Sequence, residues 1–321
     1  MSKTKNSKKR RLNYNKVALL CLVVVLIFGG VFAFKNNNKT NNEDPNENKN
    51  IVSTFNEQNE KVETYTASIL AAGDIMVHTP QLKAQYNAST KTYNFDNNFK
   101  YVKKYIEKAD YSLANLETTL AGNDVYKYSS YPMFNSPDEL ADALKNAGFD
   151  LLSTINNHSY DKGGLGVSRT LEVLKKKGFD TVGTREKESD NDYLIKDINN
   201  IKVGFTSYSY GDIKDGTKYL NGIKVSKESG DKMNVFDSSN VDNAYKTISA
   251  TLDKMKDTDI QIVILHWGIE YTRSEIDFQN KLAQKLCDAG VDIIIGSHPH
   301  VVEPVETITS TDGKNECVVV Y

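Results

Sequence analysis

Five histidines occur in the 321 residues, His78, His158, His266, His298 and His300, and each falls just beyond the C-terminal end of a short apolar run. Asp74 and Glu117 occupy the same kind of position, as do Asn156 and Asn157. Imidazole nitrogens, carboxylates and amide oxygens together suit a borderline or hard divalent cation. One such histidine alone would read as a capping or core residue; five at strand ends read as a site. Six or seven ligands exceed what one ion with open positions needs, so a pair of ions sharing one carboxylate is the expected arrangement. In Gly296-Ser297-His298-Pro299-His300 the i, i+2 spacing on an extended chain, with Pro299 favouring extended dihedrals, is expected to send both imidazoles to one ion.

The elements that must position these residues are legible in the apolar pattern. Runs at Ser68–Ala72, Tyr111–Leu116, Asp150–Ile155, Ile201–Tyr208, Ile260–Leu265 and Val291–Ile295 predict strands. Between them, helical periodicity predicts helices at Pro137–Ala147, Gly164–Lys177, Val241–Met255 and Ile276–Ala289. The fold class is therefore α/β, and Asn199-Asn200 between two apolar stretches predicts a hairpin, hence mixed sheets. In open α/β sheets ligands bind outside the carboxyl ends of the strands, which is where these residue types gather.

The termini carry different signals. Residues 1–16 form a basic tail, expected to be cytoplasmic, and the uncharged run 17–34 spans roughly 27 Å as a helix, enough to cross a bilayer once. An uncleaved anchor is expected; the alternative, a signal peptide cleaved near Val31-Phe32-Ala33, is disfavoured by the length of the run. Residues 35–62, rich in Asn, Lys, Glu and Thr, read as a flexible linker. Residues 63–321 are the expected extracytoplasmic domain. Beyond residue 35 there are 32 Lys and Arg against 42 acids, a balance that disfavours nucleic acid. Of the three cysteines, Cys21 lies in the anchor, so only Cys287 and Cys317 belong to the domain and no disulfide framework is expected.

Five motifs in order, Gly73-Asp74-Ile75-Met76, Ala114-Asn115-Leu116-Glu117, Asn156-Asn157-His158 with Asp161 and Gly163, His266-Trp267-Gly268 with Glu270-Tyr271, and Gly296-Ser297-His298-Pro299-His300, resemble the CapA family of poly-γ-glutamate capsule synthesis. That family lies in the calcineurin-like metallophosphoesterase superfamily. The resemblance runs from about Ser68 to Tyr321 and implies a layered metallophosphatase fold of mixed sheets flanked by helices. It also implies a chain that continues past Tyr321, so a C-terminal truncation is expected.

By this resemblance Asp74, Glu117, Asn157, His266, His298 and His300 are the metal ligands, with Glu117 standing where the superfamily has a bridging aspartate. The superfamily's histidine two residues after its first aspartate is here Met76, leaving His78 as a further candidate ligand. His158 matches the residue that protonates the leaving group, and Asp161 either orients it or caps the helix that follows. Asn115, Asn156, Glu270 and Arg273 are candidate substrate contacts, and Trp267 is expected to pack against the sheet.

One or two ions are implied, Mn²⁺, Zn²⁺ or Fe in preference to Mg²⁺. The implied function is hydrolysis of a phosphorylated or polyanionic envelope substrate; the alternative is an accessory subunit of a membrane polymer synthase that holds or guides poly-γ-glutamate. Expected partners are the bilayer, other synthase subunits and the polyanion. Membrane fractionation tests the anchor: full-length chain should stay in the membrane after high-salt and carbonate washing, whereas a released species beginning near Phe34 would show cleavage.

Overall fold

The computed structural model describes residues 63–321, and Thr64–Tyr321 form one compact unit. The basic tail, the apolar run and the linker lie outside the described residues. Among the described residues no helix is long and apolar enough to cross a membrane.

The first half of the unit contains β1 (Ile69–Ile75), α1 (Thr79–Gln85), a small hairpin of β2 (Tyr86–Asn87) and β3 (Thr92–Tyr93), and the short helices α2 (Asp96–Phe99) and α3 (Lys103–Ile106). It continues through β4 (Tyr111–Leu116), α4 (Glu139–Ala147), β5 (Leu151–Ser153), α5 (Gly163–Lys176) and β6 (Asp180–Val182). β1, β4, β5 and β6 form a four-stranded sheet, adjacent in that order and all parallel.

The second half comprises β7 (Leu194–Ile198), β8 (Ile201–Lys214), β9 (Thr217–Leu220), β10 (Ile223–Lys224), α6 (Lys227–Gly230), β11 (Val235–Asp237), α7 (Val241–Met255), β12 (Ile260–His266), α8 (Asp277–Asp288), β13 (Ile293–Ser297), β14 (Val305–Thr309) and β15 (Glu316–Val320). Its sheet runs β10-β9-β8-β12-β13-β15-β14, with β7 and β11 also on β8. β8, β12, β13 and β15 are mutually parallel, and antiparallel strands lie outside them.

Strand alternation explains the layering. Successive side chains point to opposite faces, so Leu113 and Leu151 face inward while Ala114 and Leu152 face the helices. In the second sheet Ile262 and Ile264 face inward and Val263 and Leu265 outward. The inward set, with Val182, Val203, Phe205 and Ile295, makes one core between the two sheets. Helix α4 covers the outer face of the first sheet with Leu140, Ala141, Leu144 and Ala147, an i, i+1, i+4, i+7 stripe, and ends at Gly148 with φ 103°. Helices α7 and α8 cover the second through Ile248, Leu252, Leu282 and Leu286. The result is a mixed α/β sandwich of helix, sheet, sheet and helix layers.

The predicted hairpin is present: β7 and β8 pair antiparallel around Asn199 and Asn200, whose φ values of 52° and 66° match a type I′ turn. β8 is longer than its apolar run because its second half, through Gly211 and Asp212, is held by β9 and β11 and not by burial on both faces. The short strands β6, β9, β10 and β11 carry too few residues to show a period of their own. Cys287 and Cys317 are free and buried, in α8 and β15.

Phe205 lies between the sheets, fully buried, with its ring 5.5 Å from that of Tyr111. Phe205→Ala should cost about 3–5 kcal/mol of stability, measured by urea denaturation of the metal-free protein.

Candidate metal centre

Parallel strands place their carboxyl ends along one edge, and there the two sheets meet. β1 delivers Asp74 after a break in its register with β4 between Ala71 and Asp74. β4 carries Asn115 and is followed by Glu117, whose backbone N–H donates to the Ile75 carbonyl at 2.9 Å. The turn after β5 holds Asn156, Asn157 and His158, β12 ends on His266, and β13 ends on Ser297, directly before His298 and His300.

Ligand atoms from these elements converge in two groups, each within 4.8 Å: Asp74, Glu117 and His266, and Glu117, His298 and His300. Glu117 belongs to both. Its Oε1 lies 3.7 Å from His266 Nε2 and 3.9 Å from His300 Nε2. Asp74 Oδ2 lies 3.0 Å from His300 Nδ1 and accepts the His298 backbone N–H at 3.0 Å. Asn157 Oδ1 lies 2.9 Å from His266 Nε2, so the amide joins the same cluster.

The electrostatics are those of a cation site. Neither oxygen of the fully buried Glu117 carboxyl has a hydrogen-bond partner. Burial, reinforced by the nearby Asp74 charge, pushes that carboxyl up to about 10. Burial also works against the Asp74 carboxylate, yet the hydrogen bond with His300, the His266 ring and the Asn115 amide hold it well below the usual range. Burial drives His266 well down, and burial with the neighbouring His300 takes His298 to about 4; the hydrogen bond to Asp74 raises His300. Neutral imidazoles around an unpartnered buried carboxyl form a donor set that fits divalent ions.

Asn115 and Asn156 are structural parts of this cluster. Both are buried, and the Asn115 amide donates to Asp74 Oδ1 at 2.8 Å and lies 3.3 Å from His266 Nδ1. The Asn156 amide donates to Asn115 Oδ1 and to the Leu116 carbonyl, while its own Oδ1 accepts the His158 N–H. Their amides link Asp74, β4 and the His158 turn in one network.

His158 Nδ1 lies 2.8 Å from Asp161 Oδ2, which also accepts the Phe134 N–H at 2.6 Å. Helix α5 is preceded by Lys162 with no side-chain cap, so Asp161 orients His158 and does not cap the helix. The Phe134 ring stands edge-on to His158 at 4.7 Å.

Some expected members stay outside. His78 is exposed at the start of α1, its ring 5.1 Å from Phe134, and belongs to neither ligand group. Glu270 and Arg273 are exposed on the loop after β12; the Glu270 charge is felt at Glu117 and His300, which puts it at the rim. Trp267 is buried as expected, stacked on Tyr321 at 5.9 Å. The extended geometry expected for His298-Pro299-His300 is overturned: His298 and His300 have φ of 100° and 56°. The His298 N–H bond to Asp74 and a 2.7 Å bond from Tyr271 N–H to the Pro299 carbonyl bend the segment, and both imidazoles still reach Glu117.

Three contributors went unseen in the sequence: Ser297, whose Oγ lies 2.9 Å from His266 Nδ1, Phe134, and Tyr210, whose ring packs on His266 and His298. Ser297 lies within the histidine motif, and its position there could have flagged a role. Phe134 and Tyr210 carry no local signal.

In the metal-free protein, folded Glu117 keeps its proton to about 10, whereas the unfolded chain releases it near 4.5. The folded state then holds the extra proton between those values, so its stability falls as pH rises from 4.5. Glu117→Gln removes this dependence. Urea denaturation in EDTA should show the wild type losing stability relative to the variant by about 1 kcal/mol per pH unit between about pH 5 and 8; parallel pH profiles would refute the burial argument.

The chain matches the family described as "Bacterial capsule synthesis protein PGA_cap" over residues 68–321. It is 29% identical over 256 residues to "Capsule biosynthesis protein CapA" of Bacillus anthracis, covering 77% of this chain and 56% of that protein. It is 31% identical over 260 residues to "PGA biosynthesis protein CapA" of Bacillus subtilis (strain 168), covering 78% and 63%. The chain therefore spans less than two thirds of either relative's length. Among solved structures, TT1561 of Thermus thermophilus matches with a TM-score of 0.38 and 13% identity, covering 79% of this chain and 89% of that one. With the family match taking in all five motifs, from Asp74 to His300, the chain belongs to the bacterial capsule synthesis family of CapA proteins, within the metallophosphoesterase-like superfamily.

Proposed function

We propose that this protein is a membrane-anchored, extracytoplasmic hydrolase of the metallophosphoesterase type that acts on a phosphorylated or otherwise polyanionic envelope substrate during capsule polymer synthesis. The observation that carries the reading is Glu117: a buried carboxyl with both oxygens unpartnered, shared by two ligand groups. A group in that position would serve as a ligand common to both groups if cations were bound. The mixed imidazole, carboxylate and amide donors favour Mn²⁺, Zn²⁺ or Fe over Mg²⁺. Bound there, divalent ions would bring a water toward neutral pKa and offset charge on the attacked centre.

The chain's own residues account for the rest. Asp161 holds His158 Nδ1, leaving Nε2 to give a proton to the leaving oxygen. Phe134 packs against the imidazole and screens it on one side. Asn115 and Asn156 tie the His158 turn to Asp74, so the proton donor and the ligand cluster keep a fixed relation. The same network argues for turnover over mere holding of poly-γ-glutamate, because a groove that only grips a polyanion has no use for a buried His–Asp pair. The bilayer and other subunits of a polymer synthase complete the proposed setting.

Metal analysis of the purified full-length protein should find one or two transition-metal ions per chain, and His298→Ala with His300→Ala should abolish them; a folded, reconstituted sample holding less than about 0.1 ion per chain would refute the site. His158→Asn should keep the metal and lower phosphodiester turnover by about 10²- to 10⁴-fold. Assayed beside a γ-glutamyl substrate, activity on neither substrate, or capsule output unchanged in His158→Asn, would overturn the catalytic reading.

A further inference from the structure

Imidazoles that bind metals are ordinarily aimed by a hydrogen bond on the ring nitrogen away from the ion. His266 has Ser297 Oγ at 2.9 Å from Nδ1, and His300 has Asp74 Oδ2 at 3.0 Å. His298 lacks this device: among the described residues neither of its ring nitrogens makes a hydrogen bond, Nδ1 being buried, and its backbone stands at φ 100°, a conformation rare for a side-chain-bearing residue. Something else has to set its ring.

The Tyr210 ring meets it. The phenol centroid lies 4.8 Å from that of His298, tilted by 51°. The same phenol lies nearly flat against His266, at 6.0 Å with 7° between the planes. One aromatic side chain thus packs on an imidazole from each ligand group. Its backbone is well held: Tyr210 pairs with Phe236 of β11, and the preceding Ser209 pairs with His266 of β12. The amide of Asn157 approaches its hydroxyl.

We propose that Tyr210 is a positioning residue of the metal centre, its ring doing for His298 by packing what a hydrogen bond does for the other imidazoles, and bracing His266 at the same time. This rests on the metal-centre reading above. An aliphatic side chain at 210 fills space but presents no flat face, so the His298 ring gains rotational freedom that metal binding must then remove. Phenylalanine keeps the face.

The test is Mn²⁺ titration of the metal-stripped full-length protein, followed calorimetrically, for wild type, Tyr210→Phe and Tyr210→Leu. Tyr210→Phe should bind within about threefold of wild type, and Tyr210→Leu about 10- to 100-fold more weakly. Thermal unfolding of the metal-free proteins separates positioning from folding: the expected Leu variant loses affinity while keeping a cooperative transition. Wild-type affinity in Tyr210→Leu would overturn the proposal alone. So would a tenfold or greater loss in Tyr210→Phe, which would assign the role to the hydroxyl and which decides the matter even where the Leu variant does not fold. Failure of the wild type to take up Mn²⁺, Zn²⁺ or Fe²⁺ would remove the metal centre itself, and this inference with it.

Discussion

A carboxyl group sealed from water with neither oxygen hydrogen-bonded must be neutralised, by a proton or by a cation. Glu117 is held in that state at the meeting point of the two sheets. Its own position is secured from the backbone, through the bond to Ile75 of the neighbouring strand, so the side chain has nowhere to turn for relief. Everything else at the edge arranges itself about this charge. Asp74 stays ionised because hydrogen bonds from His300, Asn115 and the His298 N–H outweigh its burial, and the ligand groups also hold His266 and His298, favoured neutral by burial, and His300, held on Asp74.

The sandwich makes that concentration possible at bearable cost. Asp74, Glu117, Asn157 and His158 come from the first sheet; His266, His298 and His300 come from the second. Each sheet alone offers half a ligand set. The apolar interior between them, with Phe205, Ile262 and Ile264 against Leu113 and Leu151, fixes the spacing of the sheets to within side-chain packing tolerance. A change in that core therefore reaches the site through the strands, with no need for a contact to it. The shared position, one step past β4, is a glutamate whose carboxyl belongs to both groups.

A division of labour is visible in the polar network. The two asparagines Asn115 and Asn156 make bonds in several directions each and carry no charge, which suits them to linking ligand residues without competing for a cation. His158, by contrast, is bound by a carboxylate and flanked by an aromatic ring, outside both ligand groups. Aromatic packing recurs at Tyr210, where two imidazoles are faced by one phenol. Ring faces pack on an imidazole without pointing a hydrogen-bond donor at it.

The local pattern of the sequence determined a great deal. Period-two and period-3.6 runs marked six strands and four helices that the structure contains, all near their observed bounds except β8, which runs six residues further, because burial on a sheet or helix face imposes those periods residue by residue. Placement of histidines and acids at strand ends was equally local, and the structure brings Asp74, Glu117, His266, His298 and His300 together there. What only the tertiary structure decided concerns pairs far apart in the chain. The bond from His298 N–H to Asp74 joins residues 224 positions apart, and it reverses the extended geometry that Pro299 alone would favour. Whether His78 joins the cluster, whether Asn115 and Asn156 face substrate or hold the scaffold, and which carboxylate serves both groups all depend on how two sheets stack. The same is true of Phe134 and Tyr210, ordinary aromatic residues in sequence that acquire their place from neighbours on other strands. Local periodicity records which face a residue shows; only packing records what it meets there.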